Sequence, residues 1–358
     1  MRVCDKPPGR YRVDYSGMRR NLVAVLTTAT LLIPTTAAHA DERPWREVPL
    51  PSLWPEFQIS ELAGAGPGEA WIAGYEGKKC VSWSVPGWGN PSACSMNAIV
   101  RKWNGAAWEN KNPPGLWNLQ VEDLEASSRT NVWLTGQNLQ GQYLARWDGT
   151  RWTQITAPPG CFYPRNLHPV GPDELWASFS GSAWGDSCVA RWKNGTWQVH
   201  PFTARTIDFI GSPAPGEVHI STNTVEGLNT RATLRFTGSG WEPAPTPASH
   251  PSLSRAGGGA LYYRVWNRED TLKVTTAGTE TIPAAPDGAS PFLLDDLGRL
   301  WASNASPTLY RYDAPSWVPV PPGAPSASSV TSLPESNGVL WTLSTTGSPP
   351  AYHAHTNG

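Results

Sequence analysis

An all-β, seven-bladed β-propeller of four-stranded antiparallel blades is the architecture this sequence predicts. Three observations carry it. A segment centred on an aromatic residue recurs seven times along the 358 residues. Most recurrences are followed by a hairpin with its own pair of aromatics. The composition is rich in Trp (20), Gly (34) and Pro (36) but only 16% charged, which suits short strands and tight turns rather than helices.

The first line of the repeat reads Glu69-Ala70-Trp71, Asn131-Val132-Trp133, Glu174-Leu175-Trp176, Glu217-Val218-His219, Ala260-Leu261-Tyr262, Arg299-Leu300-Trp301 and Val339-Leu340-Trp341. Successive steps are 62, 43, 43, 43, 39 and 40 residues, and a fixed period of this length marks stacked supersecondary units. The long first step places an insertion of about 19 residues between residues 73 and 99.

The second line holds Trp103-Asn104-Gly105 with Trp108, Trp147-Asp148-Gly149 with Trp152, and Trp192 with Asn194-Gly195 and Trp197. Asn-Gly and Asp-Gly between apolar runs predict two-residue hairpins, whose type I′ turns need positive φ at both positions. Phe236 with Trp241, and Tyr312 with Trp317, are weaker copies. Copy five (Leu272-Lys273-Val274, then Gly278) keeps the hairpin and loses both aromatics. For copy two the strands read Val121–Ala126, Val132–Gly136, Tyr143–Trp147 and Trp152–Ile155. Four strands in this span make a propeller blade, with the periodic Trp packing blade on blade.

Copy seven has Trp341 and a third strand near residues 351–355, but no Trp-bearing outer strand. Residues 44–49 hold an orphan one, Trp45-Arg46-Glu47-Val48, matching Trp152-Thr153-Gln154-Ile155. They are expected to complete the last blade and hide its edge.

These repeats resemble those of secreted bacterial seven-bladed propellers, with a distant likeness to kelch and tectonin-type lectin repeats. The resemblance covers nearly all of residues 44–358 and implies the architecture. The Gly-His…Trp-Asp pairing of WD repeats and the Asp box of sialidases are missing, so neither activity is implied.

Residues 1–40 read as a leader. Met18-Arg19-Arg20 precedes an apolar run through Ile33, and Ala38-His39-Ala40 has the small-x-small form of a cleavage site. The true start is expected at Met18, with cleavage after Ala40 and a single propeller domain over 41–358, secreted and monomeric. Removing six basic and two acidic residues leaves 22 and 27, a net charge of −5. No basic run remains for nucleic acid. Four cysteines stay with the mature chain: Cys80, Cys94, Cys161 and Cys188. An even number in an exported chain argues for disulfides, and of the three pairings proximity favours Cys80–Cys94 and Cys161–Cys188. No Cys-x-x-Cys or His-x-x-His spacing supports zinc.

In a propeller the second-to-third-strand and blade-to-blade links share one face. Here that face holds the long connections (73–99, 111–120, 157–165, 180–188, 243–251, 283–290 and 319–328), where function concentrates. Six Trp stand outside the repeat positions: Trp54, Trp83, Trp88, Trp117, Trp184 and Trp266. All six fall on that face, with Phe162 and Tyr163. They are the expected contacts for an extracellular glycan or protein, against the plainer role of capping blade ends. At the channel, a matched position in the first strands holds Glu61, Asp123, Asn166 and Asp208. Such oxygens would suit Ca²⁺ and a lyase or hydrolase mechanism, or would simply bond neighbouring backbone N–H groups. No nucleophile elbow, phosphate loop or zinc-protease motif is present.

Overall fold

Seven recurrences become seven four-stranded antiparallel sheets. The structure, a computed structural model, describes residues 44–84, 92–138, 140–225, 230–247, 252–264, 269–303, 308–320, 329–332, 338–346 and 350–358. All of them lie in one compact unit, Ala38–Gly358.

The chain enters at β1 (Arg46–Val48). Blade 1 follows as β2 (Gln58–Gly66), β3 (Glu69–Ser82), β4 (Ser92–Trp103) and β5 (Trp108–Asn110). Blade 2 is β6 (Gln120–Ser128), β7 (Asn131–Asn138), β8 (Gly141–Trp147) and β9 (Trp152–Gln154). Blade 3 is β10 (Phe162–Val170), β11 (Glu174–Ser180), β12 (Ser187–Lys193) and β13 (Thr196–Phe202). Blade 4 is β14 (Arg205–Gly211), β15 (His219–Thr224), β16 (Arg231–Phe236) and β17 (Trp241–Pro243). Blade 5 is β18 (Ser252–Gly257), β19 (Ala260–Arg264), β20 (Thr271–Thr275) and β21 (Gly278–Ile282). Blade 6 is β22 (Ser290–Leu294), β23 (Leu300–Ser303), β24 (Leu309–Asp313) and β25 (Ser316–Pro319). Blade 7 is β26 (Ser329–Ser332), β27 (Leu340–Thr346) and β28 (Ala351–Thr356), with β1 as its outermost strand.

That last pairing closes the ring as the orphan Trp segment predicts. Arg46 lies opposite Thr356, Glu47 opposite His355 and Val48 opposite Ala354. The Arg46 guanidinium donates to Gly358 O at 2.7 and 3.1 Å. Trp45 packs against the cluster of Trp301, Leu309 and Leu340 where blades 6 and 7 meet.

The second-strand Trp of blades 1 to 3 form the core because each enters the aromatic hairpin of the next blade. Trp71 meets Trp147 at 5.3 Å and Trp152 at 5.6 Å, both edge-on. Trp133 meets Trp192 at 5.2 Å, and Trp176 meets Phe236 at 4.8 Å and Trp241 at 5.8 Å. All three of these second-strand Trp are buried. Edge-to-face pairs add about 0.5–1.5 kcal/mol beyond the area they bury.

A clamp holds each ring in blades 1 to 3. The residue two before the Trp accepts its indole N–H in two of them: Asn131 Oδ1 from Trp133 and Glu174 Oε1 from Trp176, both at 2.8 Å. The base preceding the hairpin Trp lies over the ring, Lys102 over Trp71 at 5.6 Å and Arg191 over Trp176 at 5.5 Å. The same base pairs with the first residue of the clamp, Lys102 with Glu69 at 2.8 Å and Arg191 with Glu174 at 2.9 Å.

Two expectations change. Of the Asn-Gly and Asp-Gly turns, only Asn194-Gly195 makes a two-residue hairpin, with φ of 52° and 78°. Trp103 and Trp147 pair directly with Trp108 and Trp152, so four residues turn between them. Asn104 and Asp148 keep ordinary φ and close those turns with their side chains instead. Asp148 Oδ1 accepts from Thr150 and Arg151 N–H at 2.8 and 2.9 Å, which holds its carboxyl down at about 2. The insertion is no irregular loop either. It prolongs β3 and β4 into an arm in which Cys80 stands directly opposite Cys94.

Candidate functional site

Both disulfides form in the pairing that proximity favours. Cys80–Cys94 ties the arm across its two strands. Cys161–Cys188, both buried, ties the link entering blade 3 to β12. By topology, the arm, the link between β1 and β2, the links entering blades 2 and 3, and the loop between β11 and β12 share one face.

On that face the surplus aromatics are exposed. Trp184 is 87% accessible, Trp117 67%, Trp54 64% and Trp83 48%, with Phe162 and Tyr163 beside them in accessibility. These described positions face solvent rather than capping blade ends. Trp88 and Trp266 lie outside the described residues. The aromatics fall into two groups. Trp54, Trp83 and Trp117 surround the arm. Phe162, Tyr163 and Trp184 belong to blade 3, where Tyr163 has φ of 51°, a backbone region that is unusual for a bulky residue.

The inner strands β2, β6, β10, β14, β18, β22 and β26 contact one another in sequence around the axis. A cavity of about 730 Å³ opens among them, lined by Glu61, Asp123, Glu125, Arg165, Asn166, His168 and Arg255 among others. Glu61 and Asp123 are where the sequence places them. Asn166 lines the cavity from within a bulge and Asp208 lies outside it, because the ladder step that holds Glu61 and Asp123 is taken by Arg165 in β10 and by Phe209 in β14. Asn166 sits in its bulge at φ of 46° and turns its amide to Ser178 Oγ at 3.0 Å and Ile207 O at 3.1 Å. Asp208 is the residue skipped between Ile207 and Phe209, is exposed, and accepts from Thr206 at 3.3 Å.

Glu125 and Arg255 escaped the sequence alignment. Each pairs with the second-strand aromatic, Glu125 with Trp133 and Arg255 with Tyr262. Counting back from the Trp line to the residue before an apolar one passes over them, because both stand beyond the bulge, directly opposite the slot aromatic.

Burial pushes the Glu61 carboxyl up to about 8, and the neighbouring Asp123 charge adds to the rise. Burial also raises Asp123, to about 6, against the downward pull of the Leu167 and Leu124 N–H groups. Leu167 N–H reaches Asp123 Oδ2 at 3.2 Å across the joint between blades 2 and 3. Glu125 rises well above the carboxylate range through burial, then Asp123 and Glu61, with Arg255 opposing. His168 falls to about 4 because burial disfavours its cation. Among the described residues no group of three or more His, Cys, Asp or Glu is placed to hold a metal ion. With Asn166 bonded to backbone and Asp208 outside the cavity, the four expected oxygens do not converge on one centre. The donor set therefore does not fit Ca²⁺.

No protein-family model matches this sequence, and no curated protein does. Solved structures do. YCF48 from Cyanidioschyzon merolae is similar at 14% identity, over 87% of this chain and 98% of that one, with a TM-score of 0.52. The β-propeller domain of the Trilobed protease from Pyrococcus furiosus is similar at 9% identity, over 85% and 94%, with a TM-score of 0.58. Pyrococcus horikoshii acylaminoacyl peptidase reaches 0.52 at 8% identity, covering 85% of this chain and 52% of that one. At these identities the likeness is one of fold. The Pyrococcus furiosus propeller is described as having an open velcro topology, whereas here β1 zips to β28. Among the described residues no helix is long and apolar enough to cross a membrane.

Proposed function

We propose that this protein is an exported, non-catalytic binding propeller that holds an extracellular polymer or protein on its long-loop face. The observation that carries the reading is the segregation of exposed aromatics to one face whose loops are pinned by two disulfides. Pinned loops lose little freedom on binding, so more of the contact energy appears as affinity. Two disulfides suit an oxidising compartment, and the leader at residues 1–40 would take the chain there. N-terminal sequencing of the secreted product should begin at Asp41. The binding test is co-sedimentation with insoluble extracellular material such as peptidoglycan sacculi, chitin or collagen fibres. Wild type should pellet with at least one of these. A variant with Trp54, Trp83, Trp117 and Trp184 all changed to Ala should stay in solution at unchanged melting temperature. Equal pelleting of the two proteins, or none by wild type, would overturn the reading.

A second reading, acid–base chemistry in the channel, has one observation in its favour. Glu61, raised to about 8, is protonated at neutral pH beside Asp123, raised to about 6, in a cavity of about 730 Å³. Polysaccharide cleavage that disappears in Glu61→Gln and Asp123→Asn, and survives EDTA, would establish it.

A further inference from the structure

The base of the β3–β4 arm is broader than two strands. On the β3 side, Gly77 and Lys78 N–H donate to Pro55 O and Glu56 O, both at 3.1 Å. On the β4 side, Asn97 bridges Trp117 in antiparallel register, and Met96 N–H donates to Asn118 Oδ1 at 3.1 Å. The two links therefore flank the base of the two-stranded arm and widen it into a platform, with Trp54 on one side and Trp117 on the other.

Both indoles belong to one face of that platform. A Cβ placed on Gly77 would lie 3.5 Å from the Trp54 ring and 3.6 Å from the Asn97 amide nitrogen, so these two groups are within about 7 Å of each other. Trp117 is the cross-strand partner of Asn97, and such partners project to the same side. The row runs Trp54, bare Gly77 backbone, Asn97 amide, Trp117. Gly77 has φ of +64°, where a side chain would be strained, so the floor of the row stays open. Trp54 N–H donates to Glu76 Oε2 at 3.0 Å, which fixes that edge.

We infer that this row is a subsite for an uncharged, extended glycan. Trp54 and Trp117 each stack on a sugar ring, and the Asn97 amide bonds hydroxyls between them. The inference rests on the long-loop face being the binding face. The layout favours a sugar over a protein surface. A protein hot spot is a contiguous centre that excludes water, whereas here a polar amide separates two flat rings. A sugar offers C–H groups to a ring face and hydroxyls at its rim, which an amide can serve as both donor and acceptor. The nearby Glu76 carboxylate is engaged by Trp54 N–H and by Arg101 at 3.7 Å, and Lys78 lies over the Tyr75 ring at 5.2 Å, so the anionic comparator below decides whether the lysines beside the row recruit a charged polymer instead.

Affinity electrophoresis of the purified protein tests this. Gels would contain soluble β-glucan, xylan, mannan or chitin oligomers, with dextran sulfate as the anionic comparator. At least one neutral glycan should retard the wild type. Trp54→Ala and Trp117→Ala should each weaken that retardation about tenfold or more, a loss typical of a binding hot spot. Asn97→Ala should weaken it less, and Val318→Ala, at an exposed position on β25, should leave it unchanged. Thermal melts establish that each variant is folded. Retardation by dextran sulfate alone, by no neutral glycan, or with equal strength in Trp54→Ala and Trp117→Ala would overturn the subsite. Any of those results together with co-sedimentation lost in the four-Trp variant would leave the face-binding reading standing.

Discussion

The joint between blades 3 and 4 and the joint between blades 4 and 5 occupy the same register and are made of different chemistry. At the first, Trp176 enters a hairpin built of Phe236 and Trp241, donates to Glu174 and lies under Arg191. At the second, the slot holds His219, buried with Nδ1 unbonded. Blade 5 brings no aromatic hairpin to meet it. Phe209 instead packs among Leu253, Tyr263, Leu272 and Val274. The two irregularities of the repeat, a His in a Trp slot and a hairpin without aromatics, are thus one feature. Where the aromatic hairpin is missing, the indole in the facing slot is missing too. The ring tolerates a joint without Trp as long as slot and receiver change together.

The largest expected contrast lies between the two slots. Trp176→Ala should cost about 3–5 kcal/mol, as for buried large aromatics generally. His219→Ala should cost well under half of that. Urea denaturation of the two variants measures both, and equal losses would break the comparison. The disulfides come next. Cys161→Ser with Cys188→Ser removes a tie inside a blade and should lower global stability by about 3 kcal/mol. Cys80→Ser with Cys94→Ser should leave the global transition in place and speed amide exchange only in the arm.

A smaller effect sharpens the picture of this joint. His219→Leu removes a buried Nδ1 with no partner together with the Nε2 that faces Glu217 Oε2 at 3.9 Å, and should stabilise the protein by about 1 kcal/mol. A loss of stability would mean that the Glu217 contact outweighs the unbonded nitrogen.

A last effect is one of pH, and its sign follows from the channel. Glu61 ionises near 4.5 when unfolded and near 8 when folded. Its burial therefore costs nothing below about 4.5, and stability falls as pH rises from there to 8. His168, lowered to about 4, acts the other way. Its share of stability is whole above about 6.5 and is lost as pH falls toward 4. The two slopes place the optimum in the mildly acidic range. Glu61→Gln should raise the melting temperature at pH 8 and leave it unchanged at pH 4.

Much of this was legible in the residues. The seven-fold count, the strand order of each blade, the closure by residues 44–49 and both disulfides follow from the period, the Trp line and cysteine spacing. The rest was hidden for identifiable reasons. Bulges in the inner strands broke the alignment that joined Asp208 and Asn166 to Glu61 and Asp123, since Phe209 and Arg165 stand at that ladder step instead. They also concealed Glu125 and Arg255, which stand beyond the bulges, opposite the slot aromatics. The arm read as a loop because its strands, rich in Ser, Gly and Lys, lack an apolar alternation once they leave the blade. Lys102, Arg146 and Arg191 were visible before each hairpin Trp, but their role over the neighbouring ring needs the fold to be seen.

Closure by β1 also fixes the order of events during folding. Arg46–Val48 emerges early and can pair only with Ala351–Thr356, some 300 residues later. Pairings so distant in sequence form slowly. Until that one forms, a strand edge lies open on each side of the gap, and the polypeptide is at its most vulnerable to sticking to a copy of itself. Any helper protein that shelters the chain before the ring closes would find its binding site there, in the unfinished last sector.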